Sequence, residues 1–142
     1  MLRMLLVCTV TAVAGCNRAN PVAPAPPGPP ALEITKFVVS PPPAAGGLQG
    51  SGYDLSLEIK EIGGQGGARI NHLRFVDNLG SASETLCNSY LGPGATWNVI
   101  SDYYCDPHLS IHDGALEVSV IVTFTGDDGV GGVISRSVEI TR

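Results

Sequence analysis

Leu116-Glu117-Val118-Ser119-Val120-Ile121-Val122-Thr123-Phe124 decides the fold class. Leu116, Val118, Val120, Val122 and Phe124 share one parity, with Glu117, Ser119, Ile121 and Thr123 between them. A period of two is the signature of a strand with one buried face. Downstream, Ile134, Val138 and Ile140 alternate with Ser135, Ser137 and Glu139. Upstream, Tyr53, Leu55, Leu57 and Ile59 alternate with Asp54, Ser56, Glu58 and Lys60, and Leu73 and Phe75 flank Arg74. Shorter strand candidates are Ile34 to Val39, Glu84 to Cys87 and Trp97 to Ile100. No stretch carries a 3.6-residue apolar stripe.

The separators are turn chemistry. Gly63-Gly64-Gln65-Gly66-Gly67 predicts a connection between two strands, and Pro41-Pro42-Pro43 reads as a loop. Gly126-Asp127-Asp128-Gly129 predicts a hairpin between the last two strands, because Asp and Gly tolerate positive φ. About seven short strands with turns between them predict an all-β fold, a single antiparallel sandwich over residues 31–142. That segment resembles the immunoglobulin-like and fibronectin-III-like modules of bacterial surface lipoproteins. The resemblance lies in the strand pattern and implies two packed sheets. Cys87, Trp97 and Cys105 follow the immunoglobulin order but within nineteen residues, too close for the bridge between facing sheets found in that family.

The N-terminus reads as three zones. Met1-Leu2-Arg3 is cationic, Met4 to Val13 is a run of ten uncharged residues, and Ala14-Gly15 are small. This is the order of a signal peptide. The run is too short to span a bilayer, which takes about 20 apolar residues. Val13-Ala14-Gly15-Cys16 resembles the lipobox of bacterial lipoproteins. The resemblance implies removal of residues 1–15 and acylation of Cys16 as the first mature residue. Two or three acyl chains hold a protein durably, whereas one holds only marginally. Ala12-Val13-Ala14 also fits ordinary signal cleavage, but that route would leave Cys16 as an unpaired thiol in an oxidising compartment. Lipidation uses Cys16 and leaves Cys87 and Cys105 as a pair, which implies a disulfide closing one excursion. In enteric-type lipoprotein sorting an Asp after the cysteine favours inner-membrane retention, so the resemblance implies that Asn17, which lacks that charge, leans to the outer membrane.

On that resemblance, residues 16–30 are expected to be the lipidated cysteine and a proline- and alanine-rich tether. Six of the fourteen residues from Asn17 to Pro30 are proline. Proline blocks both helix and central strand, so polyproline II is expected, at about 3.1 Å per residue and roughly 40 Å in all. With Arg3 removed, seven basic residues face thirteen acidic ones. That balance excludes nucleic acid as a partner and a polybasic grip on anionic lipid.

Tyr90, Trp97, Tyr103 and Tyr104 lie between the two cysteines and are half of the eight aromatics. Aromatics on a stapled segment bring contact area at low entropic cost, so they are the candidate partner-binding residues. The alternative reading is that Trp97 and one tyrosine simply pack on the core or the disulfide. His108 and His112, flanked by Asp106 and Asp113, are weak metal candidates. On a strand their imidazoles would stand about 13 Å apart, and Pro107 and Gly114 leave little room for a helix. Asp127-Asp128-Gly129 lacks the alternating ligands of a calcium loop. Glu58 and Glu61 read as solvated charges at a strand end. No hydrolase elbow or zinc-protease motif is present.

The expectation is therefore a non-catalytic, lipid-anchored envelope protein without a cofactor. Its membrane partner is reached through Cys16, and its module binds or spaces an envelope protein or glycan. Two alternatives stand beside it. One is a small metal-binding protein or metal-dependent enzyme using His108 and His112. The other is a periplasmic inhibitor or assembly factor offering an edge strand.

Overall fold

The computed structural model describes residues 29–41, 53–63, 66–99, 105, 107 and 109–140. Cys16, Tyr103, Tyr104, Asp106 and His108 lie outside them. Seven strands form: β1 (Leu32–Ser40), β2 (Asp54–Glu61), β3 (Ala68–Asp77), β4 (Ala82–Leu91), β5 (Thr96–Asn98), β6 (Glu117–Gly126) and β7 (Gly131–Glu139). All pairings are antiparallel, in a three-stranded sheet ordered β1-β2-β5 and a four-stranded sheet ordered β4-β3-β6-β7. The fold is the all-β sandwich that the alternation predicts. Its fourth strand lies beside the third, in the sheet of the last two strands. An immunoglobulin constant domain instead places its fourth strand in the sheet of the first two.

The alternating residues Glu117 to Phe124 lie in β6, which is paired on both sides. Val118, Val120, Val122 and Phe124 point into the core, and so do Leu57 and Ile59 of β2 from the other sheet. Phe37 and Phe75 meet across the sheets with ring centroids 6.3 Å apart, tilted by 37°.

Two strands change parity midway, each at an irregularity in its ladder. In β1 the register shifts at Thr35, so Leu32 and Ile34 face inward before it and Phe37 and Val39 after it. In β3 it shifts at Asn71, so inward Ala68 and Ile70 give way to inward Leu73, Phe75 and Asp77. An extra residue bends its strand and re-aims the side chains beyond it. Both sites are fastened by side chains. Arg136 of β7 donates from its guanidinium to the Ile34 carbonyl at 2.7 Å, and Asn71 donates from Nδ2 to the Thr125 hydroxyl at 2.7 Å.

The chain enters the sandwich at Ala31, at the end where Glu61, Ala68, Leu91 and Gly126 lie. Asp77 and the approach to β6 lie at the far end. Each end holds one buried acid. Glu61 is fully buried and not the solvated charge expected from the sequence. Its parity is that of Leu57 and Ile59, and its carboxylate finds amide donors inside. Gly63 N–H donates to Oε1 at 2.7 Å, Ala31 N–H to Oε1 at 3.4 Å, and Gly94 N–H to Oε2 at 2.8 Å. Gly63 has to be glycine at this point, because a Cβ would stand 2.8 Å from that oxygen and 2.9 Å from Ala31 N.

Cys87 of β4 is joined to buried Cys105, with Cα atoms 4.7 Å apart. The closed excursion is not a bare loop. It contains β5, which crosses to the other sheet, and the bond ties the returning chain to the edge of the four-stranded sheet. Closing a loop of this length contributes about 3 kcal/mol in the chain-entropy account. Replacing both cysteines by alanine is expected to lower the urea unfolding free energy by about that amount, with the native β-sheet circular dichroism retained.

Candidate functional site

The residues of β4, Ala-Ser-Glu-Thr-Leu-Cys-Asn-Ser-Tyr-Leu, keep a strict in–out alternation over all ten positions. Ser83, Thr85, Cys87, Ser89 and Leu91 face the interior. Ala82, Glu84, Leu86, Asn88 and Tyr90 face out. Register carries these outward residues into rows across the sheet. One row runs Leu86, His72, Thr123, Val133; the next runs Glu84, Arg74, Ile121, Ser135. Leu86 is 83% exposed and Val133 63%. The outer face of the four-stranded sheet therefore carries a partly apolar stripe with charges beside it. The Glu84 carboxylate lies 3.3 Å from Arg74 Nε and 3.6 Å from His72 Nε2. Exposed pairs of this kind contribute at most about 1 kcal/mol, so their effect is on what the face recognises more than on its stability.

Toward the entry end the same face holds Tyr90, which is 52% exposed. Its hydroxyl donates to Asp127 Oδ2 at 2.9 Å, an oxygen that also accepts from Gly67 N–H at 2.8 Å. The hydrogen bond to that carboxylate holds the phenol above its ordinary pKa. The Arg69 guanidinium stands 5.8 Å from the Tyr90 ring centroid and donates to Asn88 Oδ1 at 2.8 Å. A side chain at Gly67 would overlap the Tyr90 hydroxyl, so glycine there lets the phenol close over the turn. Asp128 caps its own turn, its Oδ1 accepting from Val130 N–H at 2.9 Å. The two acids of the hairpin thus serve turn and packing roles.

At the far end, Asp77 has its side chain sealed from solvent. Its Oδ1 accepts from Leu79 and Ser81 N–H, both at 2.9 Å, and its Oδ2 from His112 N–H at 2.7 Å. His112 Nδ1 lies 3.3 Å from Oδ2, and its ring is more than half exposed. Burial by itself would raise the Asp77 pKa. The three amides and His112 outweigh it, and the carboxyl sits below its ordinary value.

The structure separates the aromatics that the sequence grouped. Trp97 lies on β5 opposite Ile59 and is 8% exposed. Its ring is a core side chain, so it is not part of a contact surface with Tyr90. His72 sits on the outer face and His112 at the far end. Among the described residues no three His, Cys, Asp or Glu side chains converge on a metal position. Leu86, Val133, Arg69, Arg74 and Glu84 were not singled out by sequence reasoning. Outward parity on β4 was the available signal, and it was masked because the inward positions of that strand are mostly polar. The chain matches no protein-family model, no curated protein and no solved structure.

Proposed function

We propose that this chain is a lipid-anchored, non-catalytic envelope protein, acylated on Cys16, whose sandwich binds or spaces an envelope partner. The observation that carries the reading is Val13-Ala14-Gly15-Cys16 directly after a ten-residue apolar run. The Cys87–Cys105 bond supports it, since disulfides persist outside the reducing cytosol. Entry of the chain at one end of the sandwich also supports it. A tether leaving from that end keeps the far end and the outer face of the four-stranded sheet clear of the bilayer. The contact surface in this reading is that outer face, around Leu86, Tyr90 and Val133, with Tyr103 and Tyr104 as further candidates. An apolar stripe rimmed by Glu84, Arg74 and Arg69 suits a protein surface, where a few exposed apolar anchors supply affinity and the charges fix register.

The test is Cys16→Ala in the full chain, expressed with radiolabelled palmitate. The wild type is expected to take up label and sediment with membranes. The variant is expected to lose the label and, uncleaved or cleaved elsewhere, to carry no acyl mass by mass spectrometry. An unmodified mature N-terminus in the wild type would overturn the proposal.

A further inference from the structure

Aspartate precedes glycine at two places in the chain, Asp113-Gly114 and Asp128-Gly129. Glycine has no Cβ, so the backbone nitrogen that follows the aspartate is open to its carboxyl. That nitrogen can attack the carboxyl carbon and close a five-membered succinimide. The two turns hold the reacting groups differently. At Asp128 both are engaged. Its Oδ1 accepts from Val130 N–H at 2.9 Å, and Gly129 N–H closes the hairpin turn on the Gly126 carbonyl at 2.9 Å. At the other site Ala115 N–H donates to the His112 carbonyl at 3.1 Å, so Asp113 and Gly114 are the two central residues of the turn. Both are exposed, and Gly114 has a φ of 91°, where glycine is favoured. Among the described residues nothing bonds the Asp113 carboxylate or the Gly114 N–H.

From this contrast we infer that Asp113 is a site of spontaneous isomerisation to isoaspartate in the folded protein, while Asp128 stays aspartate. The nitrogen of Gly114 bonds to the carboxyl carbon of Asp113. The carbon–hydroxyl bond breaks, and the hydroxyl leaves as water with the amide proton. Water then adds back to the ring and breaks the original peptide bond, so the main chain runs through Cβ and Cγ. No atom is gained or lost overall, and no oxidant or cofactor is needed. The backbone becomes one atom longer inside a turn closed by a single hydrogen bond. His112 is the next residue back along the chain. Its N–H lies 2.7 Å and its Nδ1 3.3 Å from Asp77 Oδ2. Lengthening the turn displaces His112 from Asp77, whose Oδ1 holds the Leu79 and Ser81 amides. Isomerisation therefore loosens the far end of the sandwich. The inference is independent of the lipid anchor.

Ageing the full chain in detergent at mildly acidic pH and body temperature over several weeks tests it. Isoaspartate is read by an isoaspartyl methyltransferase with radiolabelled methyl donor. Cleavage after Glu117 then separates the two sites, since Asp113 and Asp128 fall on either side of it. The label is expected to accumulate on the fragment with Asp113 and to stay at background on the fragment with Asp128. In urea, where neither turn exists, the two sites are expected to label alike. The aged native protein is expected to exchange its Leu79 and Ser81 amide hydrogens faster than fresh protein. Asp113→Glu, whose longer side chain cannot close a five-membered ring, is expected to take no label at that site and to keep its exchange rates with age. Native labelling of Asp128 at or above the level of Asp113, an unlabelled Asp113, or the same preference in urea would each overturn the inference. So would ageing of Asp113→Glu that speeds exchange at Leu79 and Ser81 as much as in wild type.

Discussion

Glu61→Ala is expected to lose about 4 kcal/mol of folding stability, a large part of what a domain of this size possesses. The carboxylate organises three backbone amides from three separate segments at the entry end: Ala31, Gly63 and Gly94. Hydrogen bonds to an ionised acceptor contribute roughly 1.5–3 kcal/mol each, and donors left buried without a partner add their own desolvation cost. Two of the three bonds are short, so they dominate the sum. Glu61→Gln keeps one oxygen and is expected to recover about half the loss. Thermal unfolding measures both, with the alanine variant melting roughly 15 °C lower. A drop of only a degree or two would mean that water satisfies those amides and that Glu61 is dispensable.

Asp77→Ala is expected to cost about 3.5 kcal/mol near neutral pH. It removes the acceptor for Leu79, Ser81 and His112 amides together, which frees the β3–β4 turn and the approach to β6 at once. The effect carries a pH signature. The folded-state pKa of Asp77 lies below the ordinary aspartate value of 3.8. Its contribution is therefore fully present above the unfolded-state pKa and is lost as pH falls through the lower folded-state value. Urea unfolding at a series of pH values is expected to show wild-type stability declining as pH falls below about 4. The decline in Asp77→Ala is shallower, and the two curves converge in acid. Parallel curves through that window would remove Asp77 as a source of acid sensitivity.

The strands were legible because the long ones bury one face. Val118 to Phe124 and Leu55 to Ile59 carry unbroken alternation, and both became ladders at those positions. Much less of β4 was legible. Its inward residues are Ser83, Thr85, Cys87 and Ser89, while its largest aliphatic before the closing Leu91, Leu86, points out. Edge-strand interiors facing a covering chain need not be apolar, so hydrophobic periodicity fades there. Glu61 and Asp77 were missed for a related reason. Both extend an inward parity, after Leu57 and Ile59 and after Leu73 and Phe75, at the point where a turn begins. Charge suggested solvent, whereas the unpaired amides of the turns drew the carboxylates in. The break at Asn71 hid the first half of β3 from any single-parity reading. Trp97 takes the core-packing alternative, because its alignment with Ile59 on the short edge strand β5 decided its burial.

The first strand has a mechanical meaning. β1 begins where the chain enters and runs toward the far end, and its ladder to β2 lies across that direction. If the far end is held, a tug on the N-terminus acts along the strand axis, so the rungs are sheared together and do not unzip one by one. The guanidinium clamp of Arg136 on Ile34 and the grip of Glu61 on Ala31 lie close to where the load arrives. A pull applied at Ala31 therefore meets the sheet in its stiffest direction.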